Sequence, residues 1–212
     1  MSGAPGGIGA TLRQGNYGRI LEALSKLPGG FDLKLPQIVV VGQESHGKSS
    51  VMERIAMRAA FPRARGFCTR MPIRMKMMHR PHESRIRVRC IYSATGATAK
   101  YRQGDGSEVE AVLDIECLSV HQDDVQNTCI QTIISQFIMQ IHGRDDGESV
   151  LTDIEIEIEI RACNVPDLEL VDLPGILYGN ETLQGQTESL TRAYLRKPHT
   201  LVLCVIDGNS PR

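Results

Sequence analysis

Ile38-Val-Val-Val-Gly-Gln-Glu-Ser-His-Gly-Lys-Ser-Ser50 decides how this chain is read, because Gly42-x4-Gly47-Lys48-Ser49 stands directly behind an apolar run. The run predicts a buried strand over Gln37 to Val41, and Ser50 to Ala60 predicts a helix. Between them the glycines let the backbone turn tightly, so that N–H groups at the mouth of the helix can face phosphate oxygens. Gly42, Gln43, Glu44, Ser45, His46, Gly47, Lys48, Ser49 and Ser50 are therefore the candidate phosphate-contact residues. Lys48 would bring a point charge to the β- and γ-phosphates, and the Ser49 hydroxyl one oxygen for Mg2+. His46, within the loop, offers an extra donor or a side chain pointing to solvent.

The chain has 212 residues, 41% of them hydrophobic, and a net charge of -1. It is long enough for one core, and no global field draws it to nucleic acid or to an acidic membrane. The charge is segregated, with nine Arg or Lys against the single acid Glu83 between Phe61 and Tyr92, and acidic stretches at Asp105 to Asp124 and Asp145 to Asp172. Two readings fit: solvated strand faces that attract one another, or a basic surface turned to phosphate or lipid. Six cysteines without CxxC spacing indicate neither zinc nor a redox pair and fit a reducing cytosol. Met1 to Ala10 lacks the features of a signal peptide, and Gly3 is misplaced for myristoylation. Leu201 to Ile206 is too short to span a bilayer, so membrane contact is expected to be peripheral.

Tyr17, Ile20, Leu21, Leu24 and Leu27 predict an amphipathic helix stopped by Pro28-Gly29-Gly30. Pro62 to Arg70 reads as an Arg-rich loop. Strands are expected at Pro72 to Met78 and at Arg85 to Tyr92, the second with Arg85, Arg87 and Arg89 on one face. Thr95 to Glu110 reads as an exposed excursion without chemistry. Val125, Cys129, Ile133, Phe137 and Ile141 predict a long core helix ending near Gly143. Ile154, Ile156, Ile158 and Ile160 alternate with Glu155, Glu157 and Glu159, which predicts a half-exposed antiparallel strand. Cross-strand ion pairs between this strand and the arginine strand would contribute ~0.2 to 1 kcal/mol each. Asp167 to Val171 and Leu201 to Ile206 are expected as buried strands, with a helix over Thr182 to Lys197 between them. The pattern implies an α/β fold of three layers, α/β/α, with a mainly parallel sheet and an antiparallel extension at one edge.

A phosphate loop does not separate kinases, ATPases and GTPases, so a second acidic motif matters. Asp172-Leu-Pro-Gly175 closes an apolar strand: an Asp there can hold Mg2+ through water, and Gly175 can offer its N–H to a γ-phosphate. Asp-Leu-Pro-Gly is also an ordinary turn sequence. Thr69 is the third piece, a hydroxyl in a loop that can reach both Mg2+ and the attacking water. Ser49, Thr69 and Asp172 are thus the candidate metal residues.

Three blocks together resemble the dynamin-type large GTPases: Leu35 to Glu53 around the phosphate loop, Pro62-Arg-Ala-Arg-Gly-Phe-Cys-Thr-Arg-Met-Pro72, and Val165 to Gly175. The resemblance covers the chain from about Tyr17 onward, and Leu201 to Ser210 looks like the family's strand after the second switch. It implies GTP as substrate, Mg2+, and a monovalent K+ or Na+ held near Ser45. It also implies that a second copy completes the site, and that the residue at Glu44 helps place the attacking water. Glu44, Ser45, Lys48 and Thr69 are then the catalytic candidates. Glu44 replaces a usual Gln, Ala64-Arg65-Gly66 a common Gly-Ser-Gly, and Tyr178 a common Lys. Cytoplasmic location, homo-oligomerisation through the GTPase domain, peripheral membrane association, microtubules as partners and membrane remodelling are further implications of the family. Arg212 precedes the family's guanine motif and stalk, so an incomplete GTPase domain over residues 17–212 is expected behind a flexible tail at 1–16. Two other classes stay open: a nucleotide-binding module without turnover, and a P-loop ATPase or nucleoside kinase.

Overall fold

The computed structural model describes residues 37–43, 45–56, 71–80, 82–102, 106–116, 130–137, 150–163, 165–176 and 180–206. The predicted helix at Tyr17 to Leu27 and the Pro62 to Arg70 loop lie outside them.

The apolar runs become the inner strands. β1 (Gln37–Val41) pairs in parallel with β8 (Leu168–Asp172) on one side and with β9 (Thr200–Cys204) on the other. β2 (Ile73–His79) runs antiparallel to β8 and parallel to β7 (Ile154–Ala162), which in turn is antiparallel to β3 (Ser84–Tyr92). β6 (Val112–Glu116) closes that side, giving a seven-stranded sheet in the order β6-β3-β7-β2-β8-β1-β9. The α/β reading holds, and the antiparallel extension is larger than expected, since three of the six strand pairings are antiparallel. β4 (Lys100–Arg102) and β5 (Glu108–Glu110) form a separate two-stranded ribbon inside the stretch read as an excursion.

The layers follow from the two-residue period of the strands. Val40 shares an apolar cluster with Met52 and Ala56 of α1 (Lys48–Ala56), with Met75, Ile156 and Ile158, and with Ile130 and Ile134 of the helical stretch α2 at 130–137. Val39 and Val171 point the other way and pack with Leu190 and Tyr194 of α3 (Glu181–Leu195). Each such side chain contributes ~1.5 to 3 kcal/mol on burial. α3 starts on a side-chain cap: the Asn180 side chain accepts from Leu183 N at 3.1 Å.

Two expectations need correction. β7 is neither half-exposed nor simply antiparallel, because it lies inside the sheet with Glu155 and Glu157 buried. The ion pairs expected with the arginine strand form, as between Arg89 and Glu157, but alternation does not signal that β2 flanks β7 on its other side. β9 is not buried among the described residues, with Leu201 and Val202 exposed. Its apolar run satisfies the parallel pairing with β1, and Leu203 and Val205 pack against the core from one face.

Candidate phosphate-binding site

The site gathers at the carboxyl ends of β8, β1 and β9, where open α/β sheets place their ligands. β1 hands the chain to the loop without breaking the ladders: Val205 N donates to Val41 O at 2.8 Å, and Ile176 N to Gly42 O at 3.3 Å. Gly42 is required sterically, since a Cβ on it would run into the carbonyl oxygen of Val205. Gly47 is required conformationally, at φ 84 with open space around it. Ser45 also has positive φ, at 63. Left-handed residues of this kind turn successive N–H groups to one side, the geometry that suits an anion. α1 begins at Lys48, two residues earlier than the sequence indicates, with Val51 N donating to Gly47 O at 3.0 Å.

Lys48 is buried and its Nζ donates to Gln43 O at 3.0 Å, so the ammonium bridges the two ends of the loop. Ser49 and Asp172, far apart in sequence, meet directly: Ser49 Oγ donates to Asp172 Oδ2 at 2.6 Å. Asp172 is fully enclosed, and its second oxygen, Oδ1, has no hydrogen-bond partner among the described residues. Burial pushes this carboxyl up to about 6, with Glu53 adding to the rise, while the Ser49 hydrogen bond and the Lys48 charge pull it down. A hard cation fits this donor set: one buried carboxylate oxygen awaiting a partner, with a hydroxyl beside it. Among the described residues no group of three or more His, Cys, Asp or Glu forms a protein-only metal cage.

Gln43 and Ser45 are exposed at the loop, Ser50 is exposed on α1, and Gly175 is buried beyond Asp172. His46 is half-buried, with Nδ1 enclosed and unpaired among the described residues. Glu44, Thr69, the Ala64-Arg65-Gly66 stretch and Tyr178 lie outside the described residues. Sequence reasoning misses Glu53; the signal available is a carboxylate one helical turn beyond Ser49, on the face that meets β8.

A strand, a glycine-bent loop and a helix, with an acid at the end of the neighbouring parallel strand, define a P-loop nucleotide-binding domain. The relatives of the chain narrow that class. A model of the Dynamin family matches residues 38–211. Interferon-induced GTP-binding protein Mx1 of Canis lupus familiaris is 31% identical over 195 residues, covering 90% of this chain and 25% of that protein. Dynamin-related protein 3B of Arabidopsis thaliana is 28% identical over 198 residues, covering 91% and 22%. Dynamin-related protein dnm1 of Schizosaccharomyces pombe is 28% identical over 196 residues, covering 84% and 24%. The chain belongs to the dynamin family, and it spans about a quarter of the length of these curated relatives.

Proposed function

We propose that the chain is the GTP-binding and GTP-hydrolysing part of a dynamin-type protein, acting on membranes through self-assembly. The observation that supports this most is the Ser49–Asp172 contact of 2.6 Å, which joins the phosphate loop to the second acidic motif around one buried carboxylate oxygen unpaired among the described residues. Ser49 and Asp172, joined by Thr69, would hold Mg2+, which when bound neutralises phosphate charge. Lys48 leaves the Gln43 carbonyl to meet the β- and γ-phosphates, and Gly175 offers its N–H to the γ-phosphate. Ser45 helps hold K+ or Na+, and Glu44 orients the attacking water. Residues 17–212 form the GTPase domain in this reading. Its partners are a guanine nucleotide, a second copy of the domain and a peripheral membrane surface, with microtubules a further family partner and the cytoplasm its location.

Glu44 favours a second reading, a module that binds nucleotide without turning it over. A carboxylate beside a γ-phosphate repels it unless a proton or a cation intervenes. Titration with a fluorescent GTP analogue, then single-turnover hydrolysis with and without K+, separates the two. Lys48→Ala is expected to lose binding by at least about a hundredfold, and Thr69→Ala to lose hydrolysis with binding kept. Binding without turnover in the unaltered chain supports the module, and ATP competing as well as GTP would move the assignment to an ATPase or kinase.

A further inference from the structure

Behind the site, on the α3 face of the sheet, lies a buried polar network that phosphate chemistry does not use. Tyr194 of α3 donates its hydroxyl to Glu155 of β7, and both residues are almost fully enclosed. Arg74 of β2 grips the same carboxylate, with Nη2 at 2.8 Å from Oε1 and 3.0 Å from Oε2. Arg74 Nε is buried without a hydrogen bond among the described residues, yet it stands 3.6 Å from Glu169 of β8. One guanidinium therefore has two carboxylates in reach, one engaged and one a short displacement away. Lys197, just past α3, caps the cluster with its ammonium 3.7 Å from the centre of the Tyr194 ring.

Stability does not call for this arrangement. A buried ion pair is commonly matched or bettered by apolar side chains of the same volume, whereas it fixes relative position closely. The position it fixes is telling. Ile73 is in register with Asp172, so Arg74 is the next residue along the strand that leaves Thr69 and Met71. α3 follows the Asp172 to Gly175 turn after a short connection. Both segments that the proposed function places at the γ-phosphate thus lead straight into elements tied together by Glu155.

We infer that Arg74, Glu155 and Tyr194 are positioning residues that couple β2 to α3, with Arg74 exchanging hold between Glu155 and Glu169 as the γ-phosphate is bound and lost. The inference rests on the GTPase reading of the site. Coupling of this kind needs an element with two discrete arrangements, and a guanidinium between two carboxylates supplies one.

Amide hydrogen exchange on the 212-residue chain, with and without a non-hydrolysable GTP analogue, tests it alongside analogue affinity and single-turnover hydrolysis. Tyr194→Phe is expected to bind the analogue within about twofold of the unaltered chain and to slow hydrolysis about five- to tenfold. Nucleotide-dependent protection should persist over Lys48–Ala56 and vanish over Glu181–Leu195. Glu155→Gln, which still accepts from Tyr194 but holds Arg74 less tightly, should show the same loss more weakly. The triple variant Arg74→Met, Glu155→Leu, Tyr194→Phe removes the ion pair and its hydroxyl together, leaves Glu169 beside Lys76, and serves as the folded control; it should be uncoupled as well. Undiminished protection of α3 in Tyr194→Phe and in the triple variant overturns the inference alone. No nucleotide-dependent protection of α1 in the unaltered chain overturns the GTPase reading, and the inference with it.

Discussion

Around β8, β1 and β9 the sheet is mostly apolar, whereas across β6, β3, β7 and β2 one of its faces carries a lattice of charge. One lateral row runs Asp114, Arg87, Glu159, Lys76, Glu169, alternating in sign over five strands before ending in Gln37 and Thr200. The next runs Val112, Arg89, Glu157, Arg74 and then Val171, Val39 and Val202. The opposite face is apolar from Ile38 through Leu170, Met75 and Ile158 to Val88, and Asp172 enters it only beside Val40, at the phosphate site. The parallel half takes its order from helices on both sides, and its strand ends are free to serve the ligand. The other half has no such pair of helices among the described residues. There, charge fixes register instead, since a one-residue slip would set guanidinium groups into the apolar face.

Both halves can be challenged by substitution. Gly42→Ala should have the largest effect, because the new methyl meets the Val205 backbone and cannot be accommodated by a side-chain turn. A loss of about 3 kcal/mol or more, with nucleotide binding abolished, is expected in denaturant titration and analogue binding. Arg89→Leu strikes the other half: Arg89 Nη2 lies 2.6 Å from Glu157, and Glu157 is buried. The orphaned carboxylate should cost about 2 to 4 kcal/mol, and adding Glu157→Leu should restore most of it in a thermal melt. Failure of the double variant to recover would mean that the pair does more than balance charge.

Asp172→Asn is expected to act in the opposite direction. An aspartate whose folded pKa has risen from 3.8 to about 6 stabilises the fold fully only below the lower value, and the contribution is lost as pH rises through the upper one. The ionised carboxylate therefore burdens the nucleotide-free protein at about pH 7.5, and Asn should raise stability there by about 1 to 3 kcal/mol while Mg2+-dependent binding falls. The gain should shrink at about pH 5. Asp114→Asn should be the mildest. Hydrogen bonds from Arg87 and Arg85 hold that carboxyl down at about 2, so its contribution is present above the usual Asp value and fades as pH falls through about 2. The group is exposed and screened, and under about 1 kcal/mol, diminishing with salt, is expected in melts at low and high ionic strength.

The parallel half is legible in the sequence because its signals are local. An apolar run of four residues, a glycine loop and an Asp after a second apolar run each carry their meaning in a few residues, and the fold then brings Ser49 to Asp172. The charged half is legible only as two clusters of opposite sign. Partnering across Arg89 and Glu157 is foreseeable, but the interior place of β7 is not, since alternation is the same whether a polar face meets water or arginine. The β4–β5 ribbon and β6 escape for a different reason. The ribbon's polar residues, and the short length of all three strands, resemble a loop until Cys90 and Ala111 pair, with Cys90 N donating to Ala111 O at 2.8 Å. Helical spacing assigns Tyr194 to packing, which it does, but its hydroxyl needs the tertiary fold to find Glu155.

The bond from Val205 holds Val41, the last residue of β1, and that from Ile176 holds Gly42 just past it. The opening of the phosphate loop is therefore an overhang of the sheet, with a beam on either side. Little chain freedom remains to be surrendered there when a phosphate arrives, and the ordering cost of binding falls on the residues after Gln43. Calorimetry over a series of loop variants should find the entropy of association steady for changes before Gln43 and responsive to changes after it.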